Sequence, residues 1–208
     1  MNRFIAACAA LAAFACVAPD VQVAQDAARA PGGNFMDARM LRYPDVSDKH
    51  VCFVYAGDIW LAPRADSGAA WRLTTAKGEE YKPRFSPDGS RIAFSAAYDG
   101  NTDVYVLPVT GGVAERLTHH PGTDMMIDWT PDGKAIVFST GAFSPTGRYS
   151  QLFTVPATGG MPTKLPMGWG DNASYSPDGA RVAYTPWSQD FRTWKRYRGG
   201  MAGKLWTF

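Results

Sequence analysis

A dense run of basic residues is the part of this sequence best equipped for chemistry. Arg192, Lys195, Arg196, Arg198 and Lys204 are interleaved with Trp194, Tyr197 and Trp206 around Gly199-Gly200. A guanidinium is planar, always charged and able to give a carboxylate two parallel hydrogen bonds. Lys195, Arg196 and Arg198 are therefore candidate binding residues for carboxylates. The same arginines could instead pair with acidic groups elsewhere in the protein or brace their own loop. Arg148, beside Tyr149 in the long loop around Ser144-Pro145-Thr146-Gly147, is a secondary candidate for the same chemistry.

Other chemistries find less support. His119 and His120 are adjacent, so on an extended backbone their rings diverge, and a metal site needs three or more convergent ligands. No metal and no cofactor are expected. There is no Gly-x-Ser-x-Gly elbow, and no catalytic residue is assigned. Asp88, Asp132 and Asp178 recur in register with a repeat, which marks them as turn residues. Cys52 stands between Val51 and Phe53 in an apolar strand and reads as an inert, buried thiol. A net charge of +2 over 208 residues, with no base-stacking platform, gives no ground for nucleic acid as a partner.

The first thirty residues read as an address. Arg3 precedes an uncharged, alanine-rich run from Phe4 to Ala18, too short for the ~20 apolar residues of a membrane span. A basic start, a short apolar core and small residues form a secretory signal peptide over 1–30, with Ala28-Arg29-Ala30 as a cleavage site. A lipoprotein modified at Cys16 is the alternative. The chain is expected to be exported, with the periplasm as destination and no membrane span. Removing the leader also removes Cys8 and Cys16, so the mature chain keeps Cys52 alone and forms no internal disulfide. Residues 31–42 read as a linker.

The elements that must position the basic cluster come from a repeat of about 45 residues. Ser86-Pro87-Asp88-Gly89, Thr130-Pro131-Asp132-Gly133 and Ser176-Pro177-Asp178-Gly179 lie 44 and 46 residues apart. Each follows an aromatic (Phe85, Trp129, Tyr175) and precedes a large–small–large triplet: Ile92-Ala93-Phe94, Ile136-Val137-Phe138, Val182-Ala183-Tyr184. A degenerate first copy reads Asp45-Val46-Ser47-Asp48, then Val51-Cys52-Phe53. A second strand signature follows in Asp58-Ile59-Trp60-Leu61, Asp103-Val104-Tyr105-Val106 and Gln151-Leu152-Phe153-Thr154. The repeats close on Arg72-Leu73-Thr74, Arg116-Leu117-Thr118 and Lys164-Leu165-Pro166. Proline and glycine preset a tight turn, and aspartate can accept hydrogen bonds from its backbone amides. Period-two alternation then sends Ile92 and Phe94 to one face and Ala93 to the other.

Four short antiparallel strands per repeat, with aromatics on the stacked faces, predict an all-β fold: a partial β-propeller of about three and a half to four blades, part of a six-bladed ring. The expected blades run over 43–80, 81–122, 123–170 and 171–208, the last cut short inside its third strand. That points to the N-terminal part of a longer protein.

Tyr43-Pro44-Asp45, the Ser-Pro-Asp-Gly boxes and, most specifically, Trp194-Lys195-Arg196-Tyr197-Arg198-Gly199-Gly200 with Lys204-Leu205-Trp206 resemble the start of the tricorn protease family. The resemblance covers residues ~40–208. It implies a six-bladed propeller followed by a seven-bladed one and a serine peptidase domain further along, with the first propeller guiding peptides to or from the active site. None of the family's catalytic motifs falls within this chain. The implied partners are peptides or unfolded segments, the downstream domains of the same polypeptide, and further copies in a homo-oligomer. The family's archaeal form carries paired arginines before the third-blade turn, where this chain reads His119-His120-Pro121-Gly122-Thr123-Asp124. The repeats are also similar to those of TolB-type proteins, which leaves a noncatalytic periplasmic binding platform as the alternative.

Overall fold

The computed structural model describes residues 40–65, 68–145, 149–186, 199 and 203–208. The leader over 1–30 lies outside the described residues. Among those described, the chain forms strands and no helix.

The strands build four antiparallel meanders, each hydrogen-bonded in chain order. The first holds β1 (Arg42–Val46), β2 (His50–Tyr55), β3 (Asp58–Pro63) and β4 (Trp71–Arg72). The second holds β5 (Glu80–Phe85), β6 (Arg91–Ala96), β7 (Asp103–Pro108) and β8 (Glu115–Arg116). The third holds β9 (Asp124–Trp129), β10 (Ala135–Thr140), β11 (Gln151–Pro156) and β12 (Thr163–Lys164). The fourth holds β13 (Asn172–Tyr175), β14 (Val182–Thr185) and β15 (Trp206–Thr207). The first strands β1, β5, β9 and β13 lie side by side. Meanders stacked in sequence with their first strands adjacent are the blades of a propeller.

The alternation read from the triplets decides the stacking. Ile92 and Phe94 pack toward the first blade with Cys52, Val54, Ile59 and Leu61. Ala93 faces the other way, into a layer with Ile136, Phe138 and Phe153 of the third blade. The pattern repeats: Val137 turns toward the fourth blade and meets Val182, with Tyr184 partly buried beside it. A small residue facing a large pair lets the sheets approach closely. Complete burial of a Phe or Ile is worth about 1.5–3 kcal/mol, and Ile92, Phe94 and Ile136 have no exposed surface.

The turn boxes behave as their residue types require. Ser86 Oγ donates to Asp88 Oδ1 at 2.5 Å and accepts from Arg91 N–H at 3.0 Å, while Asp88 Oδ1 accepts from Ser90 N–H at 3.1 Å. Gly89, in the left-handed region at φ 68, donates to Ser86 O. The closing Arg-Leu-Thr segments latch onto the third strands. Arg72 pairs with Asp58 at 2.9 Å and Arg116 with Asp103 at 2.7 Å. Thr74 and Thr118 hydroxyls accept the amides of Ile59 and Val104.

Candidate functional site

The basic residues singled out above, Lys195, Arg196 and Arg198, together with Arg192 and Arg148, lie outside the described residues. Lys204 is exposed. Tyr149 rests against Trp169 with ring centroids 5.3 Å apart. His119 is exposed, whereas His120 leans on Phe143 at 4.9 Å and accepts Gly122 N–H on Nδ1 at 2.9 Å. Among the described residues, no three His, Cys, Asp or Glu converge to hold a metal ion. Cys52 is buried, and burial above all pushes its thiol up to about 12, too high for a nucleophile at neutral pH. Asp88 is held down to about 2 by the Ser86 and Ser90 hydroxyls that bond to it. This carboxylate is bonded within its own turn.

What the structure does assemble is a cavity where the turns between first and second strands line up. These turns stack as a staircase, the glycine of each against the proline of the one before. A Cβ built on Gly133 would lie 3.5 Å from Pro87 Cδ, and one on Gly179 would lie 3.9 Å from Pro131 Cγ. The first turn breaks this series. Ser47 N–H donates to His50 O at 2.8 Å, and His50 N–H to Ser47 Oγ at 3.0 Å. This is the knot that Ser86 and Arg91 make, but it encloses only Asp48 and Lys49, where the second turn encloses Pro87 to Ser90. No proline reaches toward Gly89; Ser47 takes that place, its Cβ 3.5 Å from a Cβ built on Gly89. Beside this shorter turn is a cavity of about 740 Å³, with Val46, Phe85 and Trp129 among its walls and Asp45, Asp48, Asp88, Lys49, His50, Arg64 and Asp128 as charged or titratable lining.

Three charged residues occupy equivalent places at the ends of the first strands β1, β5 and β9, each directly before a wall residue: Asp45 before Val46, Arg84 before Phe85, Asp128 before Trp129. Arg84 Nη1 lies 3.3 Å from Asp45 Oδ1, and Asp45 Oδ2 accepts Phe85 N–H at 2.8 Å. Trp129 is fixed by an Nε1–H bond to Arg84 O at 3.0 Å, with the Arg91 guanidinium 5.0 Å from its ring centroid. Asp128 Oδ1 accepts Trp129 N–H at 2.9 Å, and no described residue forms an ion pair with it. Burial pushes its carboxyl up, opposed by the Trp129 amide and by Arg84. The arrangement offers charge and apolar surface for binding.

Sequence reasoning passed over this cavity because it treated the first copy of the box as merely degenerate. Two signals could have found it: the first turn is two residues shorter than the others, and a charged residue precedes the wall residue in three successive copies.

Comparison with known proteins agrees with this architecture. The family model described as the tricorn protease N-terminal beta propeller domain matches residues 38–208. A tricorn protease homolog 1 from Streptomyces coelicolor is 38% identical over 166 residues, which cover 80% of this chain and 15% of that protein. The crystal structure of the tricorn protease superposes with a TM-score of 0.69 at 27% identity, over 81% of this chain and 17% of the other. TolB from Acinetobacter baumannii matches with a TM-score of 0.61 at 23% identity, over 72% of this chain and 38% of that one, a likeness of fold. The chain thus spans about one sixth of the length of these two tricorn proteins. With the propeller geometry and a family match over all of 38–208, the chain belongs to the family of tricorn protease N-terminal β-propeller domains.

Proposed function

We propose that this chain is the noncatalytic propeller of an exported, tricorn-like serine peptidase, and that it guides peptides to or from an active site carried elsewhere in the polypeptide. The observation that carries the reading is the family match over 38–208 in a chain spanning 15% of its Streptomyces relative. The peptide-binding role belongs to Lys195, Arg196 and Arg198, with Arg148 secondary, because guanidinium groups recognise terminal carboxylates bidentately. The implied setting is the periplasm, reached through the leader over 1–30, in a homo-oligomer of the complete protein. No helix among the described residues is long and apolar enough to cross a membrane. The likeness to TolB is one of fold, and no separate observation favours a binding platform without a peptidase.

The test is kinetic. In the complete gene product, Arg196→Ala with Arg198→Ala should lower kcat/KM for short peptides by about tenfold or more, since a charge-assisted hydrogen bond is worth about 1.5–3 kcal/mol. Acceptance of peptides amidated at the carboxyl end should change little. Unchanged kcat/KM for free-acid peptides would remove these arginines from substrate guidance.

A further inference from the structure

The cavity beside the shortened first turn lies apart from the basic cluster in sequence and calls for a ligand of opposite charge. We propose that it binds a primary ammonium group at the end of an extended chain, a peptide amino terminus or a lysine side chain, with Asp128 as the counter-charge.

Most of the lining charges are already committed. Asp45 is engaged by Arg84 and by the Phe85 amide. Asp88 spends its oxygens on Ser86 and Ser90 within its own turn. Arg64 lies at the rim, donating to Ser47 O at 3.3 Å with Asp48 3.9 Å away. His50 packs against Trp71 with ring centroids 5.5 Å apart, and Lys49 is exposed on the turn itself. Asp128 differs from all of these. It is half-buried, it lines the cavity, its one hydrogen bond comes from the adjacent amide, and no described residue pairs with it. The positive charge that acts on it, Arg84, is already bonded to Asp45. A carboxylate taken partly out of water without a counter-ion costs free energy that a cationic ligand restores.

The walls and size define the rest of the ligand. Val46, 58% exposed, stands beside the cavity as apolar surface without a partner, with Phe85 and Trp129 behind it. About 740 Å³ falls within the ~300–1,000 Å³ of small-ligand sites and accommodates an ammonium group with a few residues of chain. A bare metal cation would want several convergent oxygen ligands, and no three His, Cys, Asp or Glu among the described residues converge to supply them.

The experiment uses the complete gene product and three hexapeptides labelled at the carboxyl end, read by fluorescence anisotropy. One has a free amino terminus and no lysine, the second is its N-acetylated twin, and the third is N-acetylated with one lysine. The free-amine peptide, the lysine peptide or both should bind about tenfold or more tightly than the acetylated twin, and which does identifies the source of the ammonium. Asp128→Asn, which keeps an oxygen for the Trp129 amide, should abolish that preference. Asp48→Asn at the rim should leave every Kd within about twofold. Equal binding of all three peptides to the wild type, or a preference that survives Asp128→Asn, would overturn the proposal. The wild-type comparison needs no variant to fold. The proposal draws on the peptide reading only for its probes, and because every probe has the same blocked carboxyl end, failure of the arginine test leaves this one standing.

Discussion

Glu80 has no exposed surface, yet its carboxyl accepts the Ile59 amide at 2.8 Å, the Thr74 hydroxyl at 2.5 Å and the Tyr98 hydroxyl. Burial is the largest influence on it and raises its pKa above the ordinary 4.5 despite these donors. A carboxyl whose folded pKa is raised holds its proton more tightly in the native state. Its stabilisation is complete below the unfolded pKa and is lost as pH rises through the folded one. The turn aspartates have the opposite sign. Asp88, lowered from 3.8 to about 2, contributes stability above 3.8 that is lost as pH falls toward 2. Urea unfolding between pH 2 and 7 separates the two. The stability of Glu80→Gln relative to wild type should grow as pH rises above 4.5, whereas the deficit of Asp88→Asn should shrink below 3.8. A Glu80→Gln difference that is flat with pH would show that the hydrogen bonds fully offset burial at this carboxyl, and a reversed slope that they outweigh it.

At the scale of elements, the turns combine local chemistry with a tertiary contact. Gly133 sits at φ 66, where a side chain costs about 1–2 kcal/mol, and a Cβ there would meet Pro87 at an ordinary 3.5 Å. Gly133→Ala should therefore lower stability by about 1–2 kcal/mol through backbone strain alone, measured as a lower urea midpoint with an unchanged m-value. A much larger loss would mean that the Pro87–Gly133 contact cannot adjust and that the staircase is rigid. The first strands carry strain of another kind. Tyr43 and Lys82 take left-handed conformations at φ 53 and 49, each next to a proline and within a register shift of its strand pair. These bulges lie just before Asp45 and Arg84, so the same local kink precedes both members of the ion pair.

Over the whole described structure, the blades form a stack in which apolar layers alternate with sheets. The layer holding Ile92 and the layer holding Ile136 are separate clusters on opposite faces of the second sheet. Ile92→Val and Ile136→Val should each cost about 0.5–1.5 kcal/mol, and together their sum to within about 0.5 kcal/mol. Ile92→Val combined with Val54→Ala, both in one layer, should depart from additivity. Non-additivity between the two layers would mean that strain passes through a sheet, contrary to the nearest-neighbour energetics of stacked repeats.

The repeat boxes by themselves determined the blade architecture, because Pro, Asp and Gly act on their own backbone and a period of two assigns each side chain to a face whatever lies beyond it. That is why the faces of Ile92, Ala93 and Phe94 follow from the sequence, and why Asp88, Asp132 and Asp178 read as turn residues. The Asp58–Arg72 and Asp103–Arg116 pairs were half visible, each partner standing out in its own motif without its mate. The cavity left only indirect traces, the shorter first turn and the charged residue before each wall residue. It lies beside a turn two residues short set against the turn of the next blade, and Arg84, the cation that acts on Asp128, is bonded to Asp45 on the strand beyond. Local conformation follows from neighbours in the chain. Which charges are left uncompensated depends on burial and on contacts between blades about 45 residues apart, and those exist only once the sheets have stacked.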